Sequence, residues 1–214
     1  MKHLRRALLI SLACLGCLPV PAWSDLAQSY EFKVFLGDQE IGRQRFDVSS
    51  DGEQTHVRVD AQFEVKFFYI TFYEYRHTNS EKWERVCLRE IRSQTNDNGD
   101  DYSVNGNFEN GQLQVQTQTG NWSADGCIKT FAYWNPEWIS GDRLLNSQTG
   151  ELLPVSILSL GVETIPVRGV PTRTTRRQII SSEFTIDLWY AENGRWVGLQ
   201  STTKKGDPLR YVLQ

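Results

Sequence analysis

Three histidines, four cysteines and one methionine are all that this 214-residue chain offers to imidazole, thiol or thioether chemistry. The cysteines form no CxxC pair, which removes a thioredoxin-like activity. Beyond residue 24 the histidines are His56 and His77, and two isolated histidines without HxH-type or paired-cysteine spacing give no metal site. The GxSxG elbow of serine hydrolases is missing, and no serine stands at a strand-to-helix turn. Nothing in the chain calls for a cofactor. Excess basic charge is lacking too. With Lys2, Arg5 and Arg6 set aside, 20 Lys and Arg face 26 Asp and Glu, so a nonspecific nucleic-acid partner is excluded for want of a basic field. Long apolar runs are also absent. The stretch from Ala7 to Val20 is the most apolar one, and it falls short of the about 20 residues that a membrane-crossing helix needs.

What is present begins with a leader. MKHLRRALLISLACLGCLPVPAWS carries a basic start, a short apolar run and small residues at Ala22 and Ser24. That pattern predicts a signal peptide over 1–24, cleaved near Ser24, and one mature domain over 25–214 in the periplasm or secreted medium. Leu15-Gly16-Cys17 has part of a lipobox, but Cys14 stands where leucine is usual, so a lipid-anchored form is not expected. Removal of the leader leaves Cys87 and Cys127, and an even pair in an exported chain reads as a disulfide.

The mature part alternates apolar and polar residues between tight turns. Tyr30 to Leu36, Ile41 to Val48 and His56 to Val65 have period two. Asn96-Asp97-Asn98-Gly99 and Glu109-Asn110-Gly111 are hairpin signals. Glu81 to Thr95 reads as one strand with a bulge. Strands follow over 172–180, 183–190, 195–202 and 208–213. The helical candidate is WNPEWISGDRLLN, where Asn135 caps and Pro136 takes the first position, giving one short helix near 135–145. The expected class is all-β and mainly antiparallel: a curved meander sheet or incomplete β-barrel of about 10–12 strands. A two-layer sandwich is the rival.

FEVKFFYITFYEYRH, residues 63–77, has seven Phe or Tyr among fifteen residues and no Gly or Pro. Read as one strand, it is apolar on the face of Phe63 and Tyr75. Its other face is apolar only at Phe68, Ile70 and Phe72. Rings beyond what one core face needs must be covered by a lid, a partner or a ligand. Those three residues, with Tyr75 and Trp83, are candidate ligand contacts. So are Tyr133, Trp134 and Trp138 of the FAYWNPEW segment, a candidate lid, and Trp189 of a later strand. Arg76, His77 and Asn146 would orient a polar head. His77 and Glu81 are also candidate catalytic residues: a hairpin placing 73–77 beside 81–86 would let them meet as imidazole and carboxylate.

YEYRHTNSEKW (73–83), TNDNG (95–99), FAYWNP (131–136), LLNSQTGEL (144–152), IDLWY (186–190) and LRYVL (209–213) together resemble a family of exported Gram-negative bacterial proteins catalogued only as a domain of unknown function. That resemblance spans the mature chain and brings no activity with it. More remotely, the meander resembles periplasmic lipoprotein-carrier folds, whose curved sheets hold acyl chains. Three functions are therefore expected in order. The first is a non-enzymatic periplasmic protein binding an apolar or amphiphilic, lipid-like ligand. The second is an enzyme acting on envelope lipid or glycan through His77 and Glu81. The third is an envelope assembly protein with another envelope protein as partner.

Overall fold

The computed structural model describes residues 26–214 except Tyr69, Lys204 and Lys205. The expected signal peptide and its cysteines lie outside the described residues. A first meander comprises β1 (Leu26–Leu36), β2 (Gln39–Ser50), β3 (Gln54–Phe67), β4 (Ile70–Glu84), β5 (Cys87–Asp97), β6 (Asp100–Glu109), β7 (Gln112–Thr117) and β8 (Gly120–Asp125). A connecting segment contains the short strands β9 (Arg143–Leu145) and β10 (Leu152–Pro154), which pair with each other outside the main sheet. A second meander follows: β11 (Ser156–Val167), β12 (Val170–Ile180), β13 (Thr185–Ala191), β14 (Trp196–Thr202) and β15 (Pro208–Leu213).

The two meanders form a single antiparallel sheet of thirteen strands because β15 pairs with β1, setting Phe32 opposite Leu213. The sheet is open, with β11 and β8 at its edges. It is also strongly curved. Tyr133 and Trp134 are chain neighbours, yet Tyr133 packs 5.6 Å from Trp196 on β14 and Trp134 packs 6.2 Å from Trp83 on β4. Those two strands stand five ladder steps apart, roughly 24 Å in a flat sheet. Only a curled sheet brings both within reach of adjacent residues.

The core lies between the inner face and the connecting segment. Trp83, Trp196, Phe32, Leu88, Ile91 and Leu188 are fully buried there, each ring or branched chain contributing roughly 1.5–3 kcal/mol. The Cys87–Cys127 disulfide joins the start of β5 to the start of the connecting segment, and Leu88 donates its N–H to Ile128 O at 3.0 Å beside it. Further along the segment, Gly150 (φ +78°) packs so closely on β6 and β7 that a Cβ would overlap the Thr117 methyl.

Three sequence expectations change. The helix near 135–145 is absent: Asn135 Oδ1 accepts from Glu137 N at 3.0 Å, as a cap should, but only one turn forms, with Trp138 N bonded to Asn135 O. Gly141 at φ +111° then leads into β9. Burial of Trp134 and Ile139 against the sheet holds the segment extended where a helix would rotate one of them outward. Residues 63–77 are not one strand but the end of β3, a tight turn after Phe67 and the start of β4. Glu81 to Thr95 is likewise split, by a turn at Arg85–Val86.

Candidate functional site

Alternation along β4 turns Tyr75, His77, Asn79, Glu81 and Trp83 toward the interior, about 6.6 Å apart in steps of two residues. The segment over 130–134 crosses in front of this row as a lid. Tyr190 Oη donates to Tyr133 O at 2.9 Å and Arg177 donates to Pro136 O, while the Tyr30 hydroxyl, which donates to Gln28 Oε1, lies 3.4 Å from Trp134 O. Between lid and sheet lies a cavity of about 230 Å³. Its sheet wall includes Phe46, Val57, Val59 and Phe63 beside the β4 row, with Ile186 and Tyr211 from the second meander. The lid supplies Thr130, Phe131, Tyr133 and Trp134, and the turn after β9 supplies Asn146, Ser147 and Gln148.

The polar groups fall into two clusters. At one end Tyr75 stacks on Phe63 (5.2 Å between centroids, 9° between planes) and donates from Oη to Gln148 Oε1 at 3.1 Å. Gln148 is held in turn by donating from Nε2 to Asp97 at 3.2 Å. His77 shares a hydrogen bond between Nδ1 and Thr95 Oγ1 at 2.8 Å, which leaves Nε2 as the ring nitrogen available to the cavity. Burial holds this imidazole down to about 4, so it is neutral at ordinary pH.

At the other end Glu81 accepts from Asn79 Nδ2 at 2.9 Å and from Trp83 Nε1 at 2.8 Å, and Thr130 also hydrogen-bonds the carboxylate. Burial raises its pKa, and the three donors oppose that rise. Among the described residues no Lys or Arg lines the cavity. Asn79 is 6% exposed, and its Oδ1 is buried without a hydrogen-bond partner. Such an orphan is uncommon in a folded protein, since leaving a buried acceptor unmade costs about 1–3 kcal/mol.

Residues 32–214 match the family described as Domain of unknown function (DUF6134). The chain belongs to that family. No curated protein matches it. Among solved structures it is similar to a beta-barrel-like protein of domain of unknown function DUF1849 from Brucella abortus, at 10% sequence identity and a TM-score of 0.64 over 88% of this chain and 95% of that chain. At that identity the likeness speaks for the fold alone.

Of the residues singled out from the sequence, this DUF6134 chain brings Tyr75, His77, Glu81, Tyr133, Trp134 and Asn146 to one cavity. The remaining ones stand elsewhere. Phe68, Ile70 and Phe72 are 82%, 63% and 59% exposed around the β3–β4 turn. Arg76 points to the outer face, paired with Glu74 at 2.6 Å. Trp83 is buried in the core, and the half-buried Trp138 packs on it, 5.2 Å between centroids. Trp189 lies under Arg176 (5.3 Å) and donates to Glu163. His77 and Glu81 do not meet across a hairpin, because β4 runs unbroken through both and places them roughly 13 Å apart.

Sequence reasoning passed over Asn79, Thr130, Ser147, Gln148 and Tyr211. A signal for Asn79 was present in HTNSEKW: His77, Asn79 and Glu81 share the inward register of Trp83, which places three polar side chains where a core strand normally has apolar ones.

Proposed function

We propose that this DUF6134 protein is a non-enzymatic exported binding protein that holds a small amphiphilic molecule between its curved sheet and the 130–134 lid. The observation that carries this reading is the cavity itself, with rings on its walls and hydrogen-bonding groups clustered at both ends. Recognition sites for small molecules combine aromatic walls with placed polar groups, and here rings and hydrogen-bonding groups share the lining. The disulfide between Cys87 and Cys127 supports an oxidising compartment, and so does the leader expected from the sequence. Among the described residues no helix is long and apolar enough to cross a membrane.

Volume limits the ligand. An apolar void of about 150 Å³ takes a benzene molecule, whereas drug-sized ligands need about 300 Å³ or more. A cavity of about 230 Å³ suits a ring or short chain with a polar head, and a two-chain lipid exceeds it. Direct His77–Glu81 acid–base chemistry is disfavoured by their separation, because a base and the group that orients it must lie within hydrogen-bond reach.

Val59→Phe fills the cavity from its sheet wall and provides the test. Protein expressed in its own host and purified without detergent is extracted with organic solvent and examined by mass spectrometry. The wild type should release a compound of roughly ten heavy atoms that Val59→Phe protein, shown folded by near-ultraviolet circular dichroism, does not carry. Identical extracts from both proteins would overturn the reading.

A further inference from the structure

The Glu81 end of the cavity is chemically one-sided. Among the described residues of the wall, Glu81 is the only side chain that bears a formal charge when ionised at neutral pH, since Tyr75, His77, Tyr133 and Tyr211 are all held uncharged by burial. Its two oxygens receive Asn79 Nδ2 and Trp83 Nε1, and Thr130 is a third hydrogen-bond partner. These are neutral donors that orient a carboxylate without balancing its charge. A buried carboxylate in a natural fold is ordinarily met by a cation. None is supplied by the protein among the described residues of the wall.

Beside it stands the second observation, the Asn79 Oδ1 that is buried and accepts no hydrogen bond. An acceptor without a donor and a carboxylate without a cation, two residues apart on one strand, require the same thing of an occupant: N–H groups bearing positive charge. The walls agree. Tyr133, Trp134 and Phe131 from the lid, with Phe46 on the sheet wall, supply aromatic rings, the side-chain type whose quadrupole attracts a cation. An anionic head would meet Glu81, and a neutral hydroxyl would satisfy Asn79 Oδ1 while leaving the carboxylate uncompensated.

We infer that the cavity recognises a small organic ammonium, a protonated amine on a ring or short chain, with Asn79 Oδ1 and the Glu81 carboxylate receiving its N–H groups and the lid rings covering its body. This rests on the cavity being a binding site, and it names the ligand's chemical class.

Isothermal titration with three probes of matched size separates the possibilities: 2-phenylethylamine, 2-phenylethanol and phenylacetate, each near neutral pH. The amine should bind at least about tenfold more tightly than the alcohol, and phenylacetate should not bind. Glu81→Gln, which keeps the shape and one acceptor oxygen while removing the charge, should weaken the amine about tenfold or more while leaving the alcohol within about twofold. If the alcohol binds as well as the amine, or if Glu81→Gln leaves the amine unaffected, the ammonium assignment is overturned and the cavity reading survives. If none of the three binds, both are overturned.

Discussion

His77 carries the clearest consequence at the scale of a single residue. Its ring is 6% exposed and neutral when folded, with a pKa near 4 against the ordinary 6.5. As pH falls through 6.5 the unfolded chain takes up a proton on this residue that the folded chain refuses until about 4, so the contribution of His77 to stability declines across that window. The gap corresponds to about 3 kcal/mol at most. Glu81 has the opposite sign: its raised pKa means the folded state holds a proton more tightly, which favours folding toward acid. The two are separated by substitution. In urea unfolding near pH 7 and near pH 4.5, His77→Gln should lose about 2–3 kcal/mol less stability on acidification than the wild type. Parallel losses in the two proteins would show that His77 titrates normally. Nothing local in the sequence gives the burial behind this behaviour. The inward register of His77, Asn79 and Glu81 is legible in YEYRHTNSEKW, but the segment that covers them comes from far along the chain.

Among elements, the turns divide by how their residues reach positive φ. Asn98-Gly99 and Asn110-Gly111 adopt the left-handed region with residues suited to it, and their hairpins were legible for that reason. Phe68 (φ 55°) and Arg85 (φ 56°) do so without a glycine or asparagine, at a local cost of roughly 1–2 kcal/mol. A reader of the sequence therefore runs β3 into β4 and β4 into β5. Tertiary pairing decides instead: β4 is fixed against β3 along its length on one side and against β5 on the other, and both turns are imposed by those ladders. The lid shows the same override, since one helical turn forms at Asn135 and burial of Trp134 and Ile139 stops it there. Its entry is held by the disulfide, whose cysteines stand 40 residues apart in the chain. In the chain-entropy picture that bond contributes about 4 kcal/mol. The Cys87→Ser, Cys127→Ser double variant should lose stability up to that amount in denaturant unfolding. Fluorescence of the lid's Trp134 should move to longer wavelength under native conditions as the lid entry loosens. Unchanged fluorescence and a loss below about 1 kcal/mol would mean that the lid is seated by its ring contacts alone.

For the whole molecule, the antiparallel meander and its period were legible while strand order was not, because alternation in LRYVL says that residues 209–213 form a strand and not which strand lies beside it. That partner is β1, nearly the full chain length away. The seam is dense: Phe32 to Leu36 pair with Leu213 to Leu209, Gly37 N donates to Pro208 O at 2.8 Å, Gln214 N donates to Glu31 O at 2.8 Å, and Arg210 donates to Gly37 O at 2.8 Å. On the inner face of the same strand, Tyr211 reaches the cavity wall and Leu213 enters the core. The sheet's two meanders thus share one core across a seam formed by its last strand, and neither has a complete interior without the other. A chain ended at Thr202 removes β15 and leaves β1 and β14 each without a ladder partner on that side. The full chain should unfold in one cooperative transition, as expected of a single domain. The shortened chain should lose that transition together with the near-ultraviolet signal of its packed tryptophans. If the shortened chain instead unfolds cooperatively with its tryptophan signal intact, the first meander is a domain in its own right. The β1–β15 pairing would then be a docking contact between two folded halves, and a cavity walled by both would open with it.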